Sequence, residues 1–568
     1  MNEVERWKQE KHPLDVIEDV YEYAEQGLSF EEIEAVAGHG EFERLKWAGM
    51  YTHGTHEDYY MMRTKVPGGK LTPDQAEVIG EVAADYATAP DEYGGAEQND
   101  IWGDAFLDIT TRQDIQKHWI EIEDVPAVWE RYDTVGLTTI QGCGDGARNV
   151  LGCPAAGLDD HEAFNAQPVV EAVSDFFTNN REYANLPRKF KMTITGCRDD
   201  CAQSQINDIG LVPAEKTIDG EARYGFHARV GGGLSDGPRM ASMLDVFVEP
   251  GDAVEFCRSV AQVFKELGDR TNRGANRMRY LVEQMGPEKF EEAVRDRCTV
   301  DLRERGTHLV KGYRGDHVGV HDQLADGLKY VGFNVIAGRM GGDEFAAAAR
   351  AARTYGTDET SIRLATDQNF LITHVPEENV DDLLNETFAR KYRPDPGPFS
   401  RGAVGCTGSE FCNYGIIETK KRVRRWAKAL DKRIDTPADL EVVRVHLSGC
   451  SASCAQPQIA DIGFRGETVK IDDPERTTNE EGDNIVEGVD FGLGGSLGSD
   501  NEFLDWVETA VPAGAVIPAL EHLFEAFAEE RREGERFYEW TRRIENDQLR
   551  GVMRRADAPV SSGVAVDD

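Results

Sequence analysis

Apolar residues recur at helical spacing near the start of the chain. Pro13-Leu-Asp-Val-Ile-Glu-Asp-Val-Tyr carries them on one face, and Ser29-Phe-Glu-Glu has the form of a capping box, so the pattern predicts a helical segment over 1–45. Residues 46–125 and 306–395 each mix short alternating stretches with helical ones. Residues 126–300 and 396–555 read as two larger α/β regions, with a helix expected from Asn413 to Leu430. The last residues, 556–568, are small and polar and are expected to form a disordered tail.

The strongest pattern occurs twice. An alternating stretch beginning at Phe190 runs into Gly196-Cys-Arg-Asp-Asp-Cys-Ala-Gln-Ser-Gln-Ile-Asn-Asp-Ile-Gly. A second one, beginning at Val443, runs into Gly449-Cys-Ser-Ala-Ser-Cys-Ala-Gln-Pro-Gln-Ile-Ala-Asp-Ile-Gly. Upstream, Ile109-Thr-Thr-Arg-Gln-Asp-Ile-Gln resembles Arg363-Leu-Ala-Thr-Asp-Gln-Asn-Phe. Two similar blocks in the same order predict an internally duplicated, pseudo-two-fold architecture.

Composition narrows the setting. The 568 residues carry a formal charge of −41, and only 19 of the 63 basic residues are lysine. The acidic residues are dispersed, which points to a globular protein with an acidic surface rather than an acidic tail. Concentrated salt, with a Debye length of about 3 Å at 1 M, would screen the resulting self-repulsion, so a halophilic, cytoplasmic protein is expected. Such a charge disfavours nucleic acid as a partner. No apolar run reaches membrane-spanning length, and the polar start has no secretory core.

Four of the ten cysteines carry the candidate chemistry. Cys406 and Cys412 form C-x5-C, and Cys450 and Cys454 form C-x3-C. Soft thiolates in two close pairs suit one polynuclear iron–sulfur cluster. Structural zinc and buried free thiols are the alternatives, and the wide first gap fits zinc knuckles poorly. In the first copy of the repeat, Cys197 and Cys201 stand in the places of Cys450 and Cys454. Cys143 lies near the place of Cys406, and Asn149 is the expected counterpart of Cys412. With one ligand missing, the first copy is expected to hold relict thiols and no second four-cysteine cluster.

Taken together, these motifs resemble the siroheme-dependent sulfite and nitrite reductases, from about residue 10 to 545. The resemblance implies a mixed α+β and α/β fold in which two ferredoxin-like half-domains (46–125 and 306–395) and two larger α/β domains (126–300 and 396–555) surround siroheme. It implies a [4Fe-4S] cluster on Cys406, Cys412, Cys450 and Cys454, with Cys454 also the axial ligand of siroheme iron. Ser451-Ala452 departs from the Pro-Asn usual there. Thr110, Thr111, Arg112, Gln116 and Arg188 resemble the siroheme-binding residues. The glycine runs at Gly231 and after Phe491 are either close-approach sites for the macrocycle's carboxylates or ordinary turns.

A small anion above a metal needs fixed cations that also donate protons. Arg63, Arg148, Lys189 and Lys191 match the family's substrate-anion residues, and an extended stretch would put the two lysines on one face. Lys191 resembles sulfite reductases, whereas Cys-Thr-Gly-x-x-Phe-Cys followed by Ile-Ile-Glu-Thr-Lys resembles the ferredoxin nitrite reductases. The balance leans slightly to six-electron reduction of sulfite, with assimilatory nitrite reduction as the alternative. A non-catalytic cluster-bearing carrier is a third reading, and a dissimilatory enzyme would need a partner subunit that the in-chain duplication makes unnecessary. No Gly-x-Gly-x-x-Gly unit or flavin module is evident, so ferredoxin is the expected electron donor to a monomer. The basic run Lys420-Lys-Arg-Val-Arg-Arg, with Lys428 and Lys432, is one possible docking face. Finally, Tyr51 and Cys143 resemble a tyrosine–cysteine pair that is covalently joined in some ferredoxin-linked sulfite reductases.

Overall fold

The computed structural model describes residues 2–93, 95, 101–313, 316–471 and 484–555, so the expected tail at 556–568 lies outside the described residues. The chain forms two compact units, Met1–Asp395 and Pro396–Asp568.

The first unit opens with helices Glu3–Glu10, Val16–Gln26 and Phe30–Ala37. Ser29 caps the third reciprocally with Glu32, as the sequence predicts. Two sheets follow, and each borrows a strand from the other half. The first has the order β1 (Met50–Thr52), β2 (Tyr60–Thr64), β5 (Ile115–Ile120), β4 (Phe106–Ile109), β13 (Arg339–Gly341). The second has the order β11 (Gly319–Asp322), β12 (Leu328–Phe333), β15 (Phe370–Pro376), β14 (Ile362–Leu364), β3 (Lys70–Leu71).

The exchange is reciprocal in its hydrogen bonds too. Gln113 donates from Nε2 to the Leu364 carbonyl at 2.7 Å, and Gln368 donates to the Ile109 carbonyl at 3.0 Å. Both glutamines sit at positive φ, 53° and 70°, in the turns that follow β4 and β14. One apolar core runs under both sheets, from Met50, Met62 and Ile115 to Val331, Phe370 and Ile372.

The rest of the first unit is a third sheet, ordered β10 (Thr307–His308), β7 (Ile209–Ile218), β8 (Glu221–Val230), β9 (Ser242–Val248), with β6 (Met192–Ile194) parallel to β7. The second unit repeats this plan. Its sheet runs β16 (Ala403–Gly405), β17 (Val445–Ser448), β18 (Ile462–Lys470), β19 (Ile485–Leu493), β20 (Asp505–Pro512), with β17 parallel to β18.

From the strand before the cysteine motif to the end of the motif, the two copies match in register at an offset of 253. Leu151 bridges Thr193 in parallel as Val404 pairs with His446. The turns after the strands share left-handed residues, Asp200 with Ser453 and Gln203 with Gln456. Lys191 N–H donates to Asp208 Oδ2 at 2.8 Å, and Arg444 N–H to Asp461 Oδ2 at 2.7 Å. The glycine runs meet the same turns. A Cβ on Gly232 would lie 2.6 Å from the Gln205 carbonyl, and one on Gly495 would lie 2.5 Å from the Gln458 carbonyl. At those two positions glycine is required by packing of the chain on itself.

Register corrects three expectations. The counterpart of Cys406 is Cys153, not Cys143, and extending the same offset without a gap puts Asp159, not Asn149, opposite Cys412. The helix expected from Asn413 spans Lys420–Arg433 instead. Backbone groups just before it are committed elsewhere: Ser409 N–H bonds the Ile417 carbonyl at 2.9 Å, and Ile416 N–H the Gly449 carbonyl at 2.9 Å. Lys189 and Lys191 lie immediately ahead of β6, where Phe190 makes a single bridge to Ala147.

Candidate active site

Unit by unit, the structure gathers most of the singled-out residues. In the first unit, Arg63 on β2 is held from two sides. Its Nη1 donates to the Gly142 carbonyl at 3.3 Å, and its Nε lies 3.4 Å from Asp114 Oδ1. Arg148 donates from Nε to the same Gly142 carbonyl at 2.9 Å. Thr110 fixes Asp114 through a 2.6 Å hydrogen bond from its hydroxyl, and Gln116 is the cross-strand partner of Arg63. Arg112 donates to Asn207 Oδ1 at 2.9 Å and to the Asn149 carbonyl at 2.6 Å. Thr111 is buried beside it in sequence.

These groups form one electrostatic neighbourhood. Burial pulls Arg112 down to about 9, opposed by Asp114 and Asp208 and reinforced by Arg148 and Arg63. Burial likewise lowers Lys191 well below the usual lysine range, and Arg112, Lys189 and Arg277 push the same way. Arg148 is lowered by burial and by Arg63, against Cys143, Asp114 and Tyr51. Six cations thus face two carboxylates, Asp114 and Asp208. The buried Nε atoms of Arg112 and Arg277 meet no acceptor among the described residues. A chain of charge −41 has concentrated positive charge here, and an anionic occupant would offset it.

Arg188 is engaged differently. It bonds Asp145 at 3.0 Å, in a knot with Arg273 at 2.7 Å and Lys8 at 3.7 Å. Tyr51 and Cys143 are brought together: the thiol is fully buried and lies among the charges that act on the phenol, while the Lys46 ammonium sits 4.6 Å from the tyrosine ring.

In the second unit, Cys406 and Cys412 come from the loop after β16, and Cys450 and Cys454 from the turn after β17. The Cys406 sulfur accepts from Gly449 N–H at 3.1 Å. Burial pushes the Cys406 thiol up to about 12, with Cys454 and Cys412 adding to it, and Cys412 to about 11, with Cys454 and Cys450 adding. The four thiols are therefore neighbours. No three of their sulfurs fall within 4.8 Å of one another, a spacing wider than a single ion needs. Cys454 is the exposed thiol of the four.

Family comparison decides what these features belong to. The nitrite and sulphite reductase 4Fe-4S domain matches residues 143–302 and 397–558, and the nitrite/sulfite reductase ferredoxin-like half domain matches 51–134 and 321–387. The chain belongs to the nitrite and sulfite reductase family. It is 38% identical to an assimilatory ferredoxin-dependent nitrite reductase of Haloferax mediterranei, covering 94% of this chain and 90% of that one. It is 35% identical to a ferredoxin–nitrite reductase of Synechococcus elongatus, covering 88% and 91%. Among solved structures it is similar to the NirA protein of Mycobacterium tuberculosis, with a TM-score of 0.84 and 31% identity over 96% of this chain and 97% of that one.

As a family member the protein is an oxidoreductase with a [4Fe-4S] cluster and siroheme, built on ferredoxin-like half-domains. The residues present fit both groups. Four thiols at cluster spacing stand in the second unit, and the first unit holds a buried excess of cations suited to a polyanionic macrocycle. The Haloferax relative agrees with the halophilic composition. Among the described residues, no helix is long and apolar enough to cross a membrane.

Sequence reasoning missed three participants. Arg277 contacts both oxygens of Asp208 at 2.9 and 3.1 Å. Lys65, lowered to about 8 by burial and by Arg148, donates to Thr178 at 2.7 Å. Asn149 donates to the carbonyls of Val66, Arg112 and Gln113 and so ties the Arg112 loop to β2. Only Asn149, next to Arg148, carries a signal in the sequence.

Proposed function

We propose that this protein is a ferredoxin-dependent nitrite reductase, taking nitrite to ammonium with six electrons and eight protons and releasing two waters. The buried cation excess around Arg63, Arg148, Arg112, Lys189 and Lys191 carries the reading of a small-anion reductase. The named relatives favour nitrite over the sulfite toward which the sequence leans. Ferredoxin as donor follows from the same relatives, and a monomer suffices because the duplication is within the chain.

When bound, the coupled siroheme and cluster supply electrons one at a time and an open iron position. Cys406, Cys412, Cys450 and Cys454 would hold the cluster, and Cys454, the exposed one of the four, would be the thiolate shared with siroheme iron. Arg63 and Arg148, fixed on the Gly142 carbonyl, are the guanidinium groups that orient the substrate oxygens. Lys191, with its pKa depressed, gives up a proton more readily than an ordinary lysine and serves with Lys189 as proton donor. Thr110, Thr111, Arg112 and Gln116 hold cofactor carboxylates, and Arg188 acts one step back by keeping Asp145 in place. A Tyr51–Cys143 thioether would be a two-electron oxidation of the pair that releases two protons, and the bound metal centre, in its oxidised form, would be the chemistry able to accept those electrons.

The basic helix Lys420–Arg433 is the proposed ferredoxin face. Val423, Trp426 and Leu430 turn inward and Lys420 is buried, so the solvent-exposed basic residues are Arg425, Lys428, Lys432 and Arg433, the last of them paired with Glu521. Steady-state rates on nitrite and sulfite with one reduced ferredoxin test the assignment. A kcat/KM at least tenfold higher for nitrite is expected, and a higher value for sulfite would return the sulfite reading.

A further inference from the structure

The first copy of the cysteine motif is more than a remnant. Cys153, Cys197 and Cys201 are 3%, 2% and 2% exposed, and their sulfurs all lie within 4.8 Å of one another. Cys197 and Cys201 are 3.5 Å apart, Sγ to Sγ. Four ligands at about 2.3 Å from one tetrahedral ion stand about 3.8 Å from each other, so this spacing suits a single metal ion. A cubane cluster interposes several atoms between its ligand sulfurs and holds them farther apart, and no three of the second unit's sulfurs lie within 4.8 Å of one another.

The three positions are the register equivalents of Cys406, Cys450 and Cys454. The fourth, equivalent to Cys412, is Asp159. It is 7% exposed and within 3.5 Å of the Tyr330 hydroxyl. Its Oδ1 accepts the His161 N–H at 3.2 Å, and it lies in the field of Cys153 but outside the 4.8 Å thiol triad, among apolar walls of Ala155, Ala156, Leu158, Ala365 and Leu371. A divalent cation held by the three thiolates would draw this carboxylate in as its fourth ligand. A second buried group also points inward. Arg363 lies in the field of Cys153, and its Nη1 meets no acceptor among the described residues, as a thiolate partner would explain. The Asp199 N–H already donates to the Cys197 sulfur at 3.3 Å, an arrangement that favours a thiolate there.

We propose that Cys153, Cys197 and Cys201 hold a structural zinc ion, with Asp159 turning in as the fourth ligand, a site built by shrinking the duplicated cluster motif to a mononuclear one. Binding sends the three thiol protons to solvent and leaves no open coordination position, so the site stabilises the first unit and takes no part in electron transfer. It is independent of the choice between nitrite and sulfite.

Holoenzyme purified from zinc-supplemented cells is expected to contain one zinc per chain beside the iron of siroheme and one [4Fe-4S] cluster. Zinc-edge X-ray absorption is expected to show three sulfurs near 2.3 Å and one oxygen. Cys197→Ser should lower zinc at least tenfold while iron and acid-labile sulfide stay at wild-type content. Because that variant can fail to fold, Asp159→Ala is the second test, and its zinc affinity should fall at least tenfold by competition with a chromophoric chelator. Wild-type protein free of zinc, iron in the amount of two clusters per chain, or a Cys197–Cys201 peptide two hydrogens lighter would each overturn the proposal. Unchanged zinc affinity in Asp159→Ala would overturn the fourth ligand.

Discussion

At the scale of single residues, the second unit's thiols and the first unit's cations make separable predictions. Replacing any of Cys406, Cys412, Cys450 or Cys454 by serine puts a hard hydroxyl where iron needs a soft thiolate. Iron and acid-labile sulfide should fall by about four irons per chain, and Cys454→Ser should also move the siroheme absorption bands. Lys191→Asn removes a charge and a proton donor. It should cost sulfite turnover about tenfold more than nitrite turnover, the value of one charge-assisted hydrogen bond, and equal losses would make Lys191 a general anchor. The sign of the pH effect follows from its depressed pKa. The ammonium form is lost as pH rises through that value, so turnover falls on the alkaline side, and Lys191→Arg should move that limb to higher pH. Peptide mapping of active enzyme should find Tyr51 and Cys143 in one peptide pair lighter by two hydrogens, and both peptides unmodified would deny the bond. The four cluster thiols could be singled out because their spacing carries chemistry, and Arg63, Arg148, Lys189 and Lys191 because they match the family's pattern; the roles given to both sets belong to the proposal. Arg277 and Lys65 were not, since an isolated basic residue gains meaning only from the carboxylate or hydroxyl that the fold brings to it.

At the scale of elements, the borrowed strand β13 is held to β4 by more than its ladder. Arg339 and Asp108 are register partners whose side chains pair at 2.8 and 3.1 Å, 0% and 1% exposed, with the guanidinium 4.1 Å from the Phe106 ring. Arg339→Met strands a buried carboxylate and should cost about 3–5 kcal/mol in urea unfolding. Adding Asp108→Asn should restore most of the loss. A double variant as unstable as the single one would show that packing of the guanidinium, not charge, holds the strand. The duplication was visible in the sequence, and the capping box at Ser29 marked its helix correctly. Strand exchange was not visible, because β3 and β13 span only two and three residues and their partners lie far along the chain. The helix start at Lys420 was missed for a related reason: the hydrogen bonds that keep 413–417 out of the helix run to Gly449 and the cysteine loop, which no local pattern reveals. The true counterparts of Cys406 and Cys412 emerged only from sheet register, because neighbouring Gly-Cys pairs at Cys143 and Cys153 look alike in the sequence.

At the scale of the whole molecule, the charge of −41 sets the solvent the fold requires. The melting temperature followed by circular dichroism should climb steadily with KCl into the molar range, as screening shortens to about 3 Å. A flat response would remove the halophilic reading. The exchanged strands have another consequence, for biosynthesis. A ribosome that has delivered 300 residues has released every strand of the first sheet except its edge strand β13, while β3 waits at residue 70 for a sheet not yet made. Both half-domains therefore reach their final form together, after residue 376, and until then each exposes an unpaired edge. In the cell, the nascent first half is the stage most in need of protection by a chaperone. The same dependence rules out halving this gene between the repeats and expressing either half-domain as a self-sufficient product.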